Sequence, residues 1–549
     1  MSIQTCFCSS LAKILPLRAP DIRVKHGCAL RGERFSFQLA YSSDKERGEL
    51  TINASCALPL RKRAVALVPV QYTGFQHDDD ILSAEPGLYP DLLSEFETEE
   101  RQVVLFADQW RSIWFTVDVP RDCKAGTYPV DVEVIYRGYL GETETRRMSY
   151  SLEVLDAELP PQSLTYTCWI HTDCLADYYG FPVFSEAYWR TVEQFVRNAA
   201  VHGMNMLLTP LVTPPLDTEV GRERPTVQLV EVMETQEGYR FDFSRLERWI
   251  TMARGCGIRY FEMPHLFTQW GAMAAPKVMA SRNGQQVRIF GWDTPAASPE
   301  YRRFLTELLT ALRQWIDEKG LHDALYFHCS DEPYVEHLEN YRECQHFLQK
   351  LLEGFPILDA MGCVEYFKQG LVTNPVPSEM VLDSFIEAGM SRRWTYYCCN
   401  PQTGYCNRFI NMPSSRNRIF GALLYRYRIE GFLHWGFNFY YSVLSRSLVN
   451  PYRSTDAGGH YPAGDPFLVY PGKRGVPEDS IRHEVFHEAL QDMRALQLLE
   501  SLAGREEVEK LLDDLAPGGM LKMDAYPKGE QAVSALRNLV NERIRYFTK

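Results

Sequence analysis

Leu325-Tyr-Phe-His-Cys-Ser-Asp-Glu-Pro333 is a short apolar run that ends abruptly in two adjacent carboxylates and a proline. The run predicts a buried strand. Pro333 disfavours the helical region for Glu332, and from about Val335 the apolar positions Leu338, Tyr341, Cys344, Leu348 and Leu351 recur at helical spacing. Asp331 and Glu332 are thus expected at the C-terminal end of a strand that feeds a helix, where reacting groups collect in α/β barrels and open α/β sheets.

The rhythm around this stretch is strand then helix, repeated. Strands are expected at 165–171, 205–209, 258–263, the run before Asp331, 356–361, 394–399, 431–435 and 466–470. Helices are expected at 186–201 and 243–254, and a further one starts with Ser298 as N-cap and Pro299 as first helical residue. Eight strands with intervening helices predict a (β/α)₈ TIM-type barrel with insertions over 161–503. An open doubly wound sheet is the alternative, but no glycine-rich phosphate loop follows any strand. Upstream, seven strands without a convincing helix, at 33–41, 49–55, 64–72, 101–107, 112–119, 127–136 and 148–155, predict a β-sandwich over 1–160. Leu159-Pro160-Pro161 is a stiff boundary between the two. Downstream, Leu490, Met493, Leu496, Leu499 and Leu502 form a helical stripe that closes the barrel, and 504–549 is a C-terminal helical annex. The expected fold class is multidomain, β followed by α/β.

At 549 residues, 45% of them hydrophobic, the chain has enough material for more than one core. A net charge of -13 argues against nucleic acid and anionic membranes as main partners, since both require a basic face. No stretch approaches the ~20 apolar residues of a membrane span, and residues 1–20 lack the pattern of a signal peptide. Fourteen scattered cysteines show neither a disulfide framework nor paired zinc-ligand spacing, and adjacent Cys398 and Cys399 with Cys406 make a poor chelate. The expectation is a cytoplasmic protein with no metal and no cofactor, acting on a neutral substrate. Thirty Tyr and ten Trp suit sugar stacking, although most aromatics serve the core.

An Asp-Glu dipeptide alone is weak, and Asp317-Glu318 repeats it on a solvated helix face. Carboxylates at the end of a buried strand, however, cost desolvation energy unless they are hydrogen-bonded or used. The structural alternative is a salt-bridged pair that supports the loop. For glycoside hydrolysis, two consecutive carboxylates approach from one side of the sugar and do not straddle the ring. Either the nucleophile comes from another strand or the substrate supplies its own. A 2-acetamido sugar does the latter: its carbonyl oxygen attacks the anomeric carbon while one carboxylate holds the amide N–H and the other transfers the proton.

Ser330-Asp-Glu-Pro333, Gly431-Phe-Leu-His-Trp-Gly-Phe-Asn438, Asp465-Pro-Phe-Leu-Val-Tyr-Pro-Gly472 and Ser480-Ile-Arg482 resemble glycoside hydrolase family 123 and its DUF4091-type relatives. Glu33-Arg-Phe-Ser-Phe-Gln38, Trp114-Phe-Thr-Val-Asp-Val-Pro120 and Ala125-Gly-Thr-Tyr128 resemble that family's β-sandwich. The resemblance implies a retaining β-N-acetylgalactosaminidase with substrate assistance, acting on an oligosaccharide or glycoconjugate. It assigns Asp331 to the acetamido group and Glu332 to general acid/base work.

Other strand ends supply candidate substrate contacts. Trp435 is a possible sugar platform and Asn438 a hydroxyl ligand, with core packing and loop capping as their alternatives. Alternation sends only one of Tyr396 and Tyr397 inward, and Tyr397 is preferred. His171, Asp173, Glu262, His265 and Trp270 are rim candidates, whereas Asp465 is expected to be structural. Two other functions stay open: a two-carboxylate glycosidase with Glu332 as acid and Glu262 or another strand-end carboxylate as nucleophile, and a noncatalytic carbohydrate-binding protein.

Overall fold

The computed structural model describes residues 3–44, 48–96, 103–138 and 141–548. It is a mixed β and α/β multidomain chain. Its N-terminal part holds two five-stranded sheets. Along the first, the order is Gln4–Ser9, Arg34–Ser42, Arg111–Asp118, Leu60–Val70 and Gly87–Ser94, every pair antiparallel. Along the second it is His26–Arg31, Thr143–Glu158, Gly126–Gly138, Gly48–Ser55 and Val103–Leu105.

All seven expected strand positions carry strands, although residues 101 and 102 of one lie outside the described residues. Gln4–Ser9, His26–Arg31 and Gly87–Ser94 were not expected. Gly87–Ser94 contains Pro90, which cannot donate to a ladder, and accordingly it lies at a sheet edge.

Alternation along these strands turns Phe7, Phe37, Ile113, Phe115 and Val117 toward Ile52, Val130, Val132, Val134, Tyr150 and Leu152. Phe37 stacks on Phe115 and Tyr150 with centroids 5.1 and 4.1 Å away. Full burial of each such ring contributes roughly 1.5–3 kcal/mol.

In the second half, eight short strands pair in a closed parallel ring: β1 (Thr165–Cys168), β2 (Met206–Leu208), β3 (Tyr260–His265), β4 (Leu325–His328), β5 (Leu358–Met361), β6 (Asn374–Pro377), β7 (Trp394–Tyr396) and β8 (Gly431–His434). Ladders join β2 to β3, β3 to β4, β5 to β6, β7 to β8 and β8 to β1. Parallel bridges Phe327↔Ile357 and Ser378↔Tyr396 join β4 to β5 and β6 to β7. The remaining seam is held by Asn205, whose N–H donates to the Tyr166 carbonyl at 3.1 Å and whose Oδ1 accepts the Tyr166 N–H at 2.8 Å. Trp169, Met206, Leu208, Leu358, Val376, Trp394, Tyr396 and Leu433 fill the interior. Gly431 is required there, because a Cβ would sit 2.1 Å from the Trp394 indole.

Two expectations fail in the ring. Residues 466–470 form no strand and contribute only the Asn438↔Phe467 and Tyr470↔Glu478 bridges. The strand not foreseen is β6, Asn-Pro-Val-Pro, whose two prolines read as a loop because they lack ladder donors. Insertions after β2 and β3 also form a four-stranded sheet of two hairpins. The second hairpin turns at Asn283-Gly284, both with positive φ, the pairing that an Asn-Gly turn favours. Helices Glu186–Val201, Ser244–Cys256 and Pro299–Lys319 lie where expected, and Ser298 Oγ accepts the Tyr301 N–H. The helix after Pro333 starts later, at Leu338, after a single 3₁₀ turn.

The two halves are joined by buried ion pairs. Arg63 of the first sheet donates to Asp479 at 2.6 Å and to Glu484 at 2.5 Å. Arg482 donates to both oxygens of Asp91 at 2.9 and 3.0 Å. From the last helix, Glu530–Thr548, Arg537 bridges Glu33 at 2.7 Å and Asp492 at 2.6 Å. Among the described residues no helix is long and apolar enough to cross a membrane.

Removing one partner of such a pair leaves uncompensated buried charge, at about 3–5 kcal/mol. Arg63→Ala is therefore expected to lower the thermal midpoint by several degrees, whereas Arg147→Ala, in an exposed pair with Glu133, leaves it nearly unchanged. Differential scanning calorimetry of both variants checks this.

Candidate active site

On β4, Tyr326 and His328 face the ring interior while Leu325 and Phe327 pack outward. The chain then leaves the strand under tight control. Asp359 of β5 accepts the N–H groups of Cys329 at 2.9 Å and Ser330 at 3.3 Å. Ser330 Oγ donates to the Thr268 carbonyl at 2.8 Å, and the Trp270 N–H donates to the Asp331 carbonyl at 2.8 Å. Glu332 follows with φ of 40° and Trp270 opposite it with φ of 60°, positive values that non-glycine residues adopt at a cost and that cluster at functional sites.

Asp331 and Glu332 form part of the floor of a cleft with about 630 Å³ of empty volume. Its other walls come from the C-terminal ends of several ring strands and the loops beyond: Trp169, Asp217, Gln269, Trp270, Tyr396, Cys398, Cys399, Trp435 and Tyr461. Tyr396 Oη donates to Glu332 Oε1. Burial raises the Glu332 proton affinity, and the Tyr396 bond opposes it. Burial and then the adjacent Glu332 push Asp331 well above the ordinary carboxylate range, with His328 pulling the other way. Like charges on adjacent residues make it costly to ionise both. Asp217, on the loop after β2, is also raised by burial, against a 2.8 Å bond from Tyr461 Oη.

Asp331, Glu332, Trp270 and Trp435 thus share one cleft. Trp435 is fixed by its Nε1–H, which donates to Asp465 at 3.0 Å. Asp465 is itself pushed up to about 7 by burial.

The other candidates lie elsewhere. Tyr397 turns outward, fully buried against Phe420, Phe432 and His434, and Tyr396 occupies the inward position instead. The alternation of β7 decides this, because Trp394 and Tyr396 share the interior face. Asn438 is buried and caps backbone, accepting the His171 N–H at 2.8 Å and donating to its carbonyl at 3.1 Å. His171 lies behind the wall, with Nε2 2.8 Å from the Trp435 carbonyl and Nδ1 3.1 Å from Arg224, and burial with that cation lowers it to about 3. Asp173 makes a bidentate pair with Arg224. Glu262 and His265 are fully buried in the ring interior beneath the cleft.

Asp217, Tyr461 and Gln269 are cleft residues without a sequence signal, since irregular loops deliver them. Tyr396 had one, the two-residue period.

Among the described residues two buried clusters bring His and Asp side chains together, His265 with His328 and Asp359, and His202 with Asp479 and His483. In each the two imidazoles stack, 25° and 26° from coplanar. Stacked rings aim their in-plane lone pairs along nearly parallel planes, a poor arrangement for converging on one ion. Arg63 also pairs with Asp479 in the second cluster.

The model of the glycoside hydrolase 123 catalytic domain matches residues 169–499, and the chain belongs to glycoside hydrolase family 123. It is similar to a family 123 glycoside hydrolase from Clostridium perfringens, studied for glycolipid glycan hydrolysis, at 16% identity and a TM-score of 0.72, covering 99% of this chain and 98% of that one. A β-D-glucuronidase from Dictyoglomus thermophilum (10% identity, 88% and 68% covered, TM-score 0.33) and a family 5 mannosidase from Rhizomucor miehei (11%, 63% and 96%, TM-score 0.29) overlap too loosely to carry an argument. The comparison with curated proteins gives no match.

A carboxyl whose proton affinity is raised on folding binds more protons in the native than in the unfolded state. Stability is therefore lost as pH rises from the unfolded value, near 4, through the folded one. Asp331→Asn and Glu332→Gln remove that titration. Each variant is expected to melt higher than wild type at pH 8, by on the order of 1 kcal/mol equivalent, with the gap smaller at pH 5 and closing toward pH 4. Thermal melts at both pH values check the sign.

Tyr396→Phe removes a bond that favours charged Glu332, so the basic limb of the pH–rate profile, where Glu332 loses its proton, is expected to move to higher pH. A pH series of kcat/KM measures it.

Proposed function

We propose that the chain is a retaining β-N-acetylgalactosaminidase that acts on oligosaccharides or glycoconjugates with the substrate's own acetamido group as nucleophile. In this reading the parallel ring is a (β/α)₈ TIM-type barrel, 161–503, set behind an N-terminal β-sandwich, 1–160, and followed by a helical annex, 504–549. Asp331 orients and polarises the acetamido N–H. Glu332 protonates the leaving oxygen and then recovers the proton from water.

One observation carries the reading: two adjacent carboxyls, both raised in proton affinity, on the floor of an aromatic cleft, with Tyr396 on the one assigned as acid/base. The division of labour needs Asp331 charged and Glu332 neutral when substrate binds. Family membership supports glycosidase chemistry, and the acetamido specificity is the proposal.

A second reading has a specific support. Asp217 is a further cleft carboxyl and takes the place of buried Glu262 as the nucleophile of a two-carboxylate mechanism with Glu332 as acid.

Aryl 2-acetamido-2-deoxy-β-D-galactoside is expected to release chromophore, and plain β-galactoside is not. Glu332→Gln and Asp331→Asn each lower kcat/KM about 10²–10⁴-fold. Near-normal turnover in both variants overturns the assignment. Labelling of Asp217 by a 2-fluoro sugar favours the second reading.

A further inference from the structure

Beneath Asp331 the ring interior holds charged groups that the acetamido mechanism does not use. Glu262 on β3, His328 on β4 and Asp359 on β5 are each 0% exposed. His328 Nε2 lies 3.0 Å from Glu262 Oε2, and its Nδ1 faces Asp359 Oδ1 at 3.7 Å. Only Nε2 is within hydrogen-bond distance; Nδ1 has no hydrogen-bond partner, and Asp359 stands beside it as a second buried carboxyl. Two carboxyls flanking one buried ring favour its charged form over a neutral one.

The remaining carboxylate oxygens are occupied in a directed way. Thr167 Oγ1 on β1 donates to Glu262 Oε1, and Tyr341 Oη donates to Asp359 Oδ2 at 2.5 Å. Asp359 Oδ1, the oxygen that faces His328, also accepts the Cys329 and Ser330 N–H groups just before the acidic pair. His265 closes the remaining side, stacked on His328 at 4.5 Å. Its ring nitrogens find no hydrogen-bond partner, and burial with the His328 charge holds it neutral.

We propose that His328, held as an imidazolium between Glu262 and Asp359, is a positioning residue for the Asp331–Glu332 pair, fixing the segment that carries it and supplying the positive charge that lets Asp331 ionise. The inference rests on the roles given to the pair under Proposed function. Asp331 feels Glu332 from its own segment, Asp359 and His328 from beneath, and Asp217 from the loop after β2. Of these four only His328 is a cation. Burial opposes its charge, but the contacts with Asp359 and Glu262 outweigh that and raise it to about 10. Without it Asp331 stands among three carboxyls and keeps its proton to higher pH.

The first test needs no substrate. In the full-length protein labelled with ¹⁵N-histidine, the imidazole signals missing from His328→Gln identify His328. At pH 8 both its nitrogens are expected to carry protons, and a neutral ring overturns the proposal. This result stands even if no acetamido sugar is cleaved, so its failure is distinct from failure of the proposed activity.

The second test is the pH profile of kcat/KM on the aryl acetamido galactoside. In His328→Gln of native-like circular dichroism, the acid limb, set by Asp331, is expected to rise by on the order of one pH unit, with a smaller movement of the limb set by Glu332. An unmoved acid limb overturns the proposal. If His328→Gln does not fold, Glu262→Gln replaces it: with one of its two carboxyl neighbours gone, His328 is expected to lose its proton at lower pH in the ¹⁵N spectrum. An unmoved His328 titration overturns the proposal equally.

Discussion

Asp359 is the constraint on which the cleft depends. A single buried carboxylate gathers two backbone amides, a tyrosine hydroxyl and an imidazole, and three of these partners fix where the chain leaves β4. Hydrogen bonds to a charged acceptor contribute roughly 1.5–3 kcal/mol each. That is comparable with the cost of holding Glu332 and Trp270 at positive φ. The strained turn persists because the strand beside it holds its entry, and the turn in turn aims two carboxyls at the same space.

The cleft is therefore built in layers. Charged groups lie deepest, on β3, β4 and β5 with the Thr167 hydroxyl of β1 beside them, and apolar ring residues surround them. The acidic pair stands above, facing aromatic walls delivered by separate loops. Beneath, burial is answered at His328 by the flanking carboxyls, which hold that ring charged, although burial raises Asp359 too; above, Asp331 and Glu332 also hold their protons more tightly.

Much of this was legible in the chain. The apolar run ending in Asp331-Glu332 marked a strand end because few sequences bury carboxylates without use, and the Ser298-Pro299 cap and the stripe from Tyr301 to Ile316 fixed a helix by local chemistry alone. What was missed has physical reasons. β6 is a strand by virtue of its neighbours, since Asn-Pro-Val-Pro has little propensity of its own. Residues 466–470 have strand composition but form only bridges. Tyr396 against Tyr397 was a question of phase, settled by Trp394 on the same face. His171, Glu262, His265 and Asn438 were chosen for polarity at strand ends, yet polar side chains there also brace the ring from within, and no periodicity separates bracing from lining. Asp217 and Tyr461 meet only through the folding of loops far apart in sequence.

The ion pairs that join the N-terminal sheets to the helix Ile481–Ala503 bear on how the molecule is divided. Asp479, just ahead of that helix, and Glu484 find Arg63 across the junction, and Arg482 finds Asp91. A fragment beginning after Pro161 inherits an arginine and two carboxylates stripped of the partners that Arg63 and Asp91 provide, on the helix that packs against the ring. The sheets are thus a counter-electrode to the α/β half, and the isolated second half is a different electrostatic object from the same residues in the whole chain.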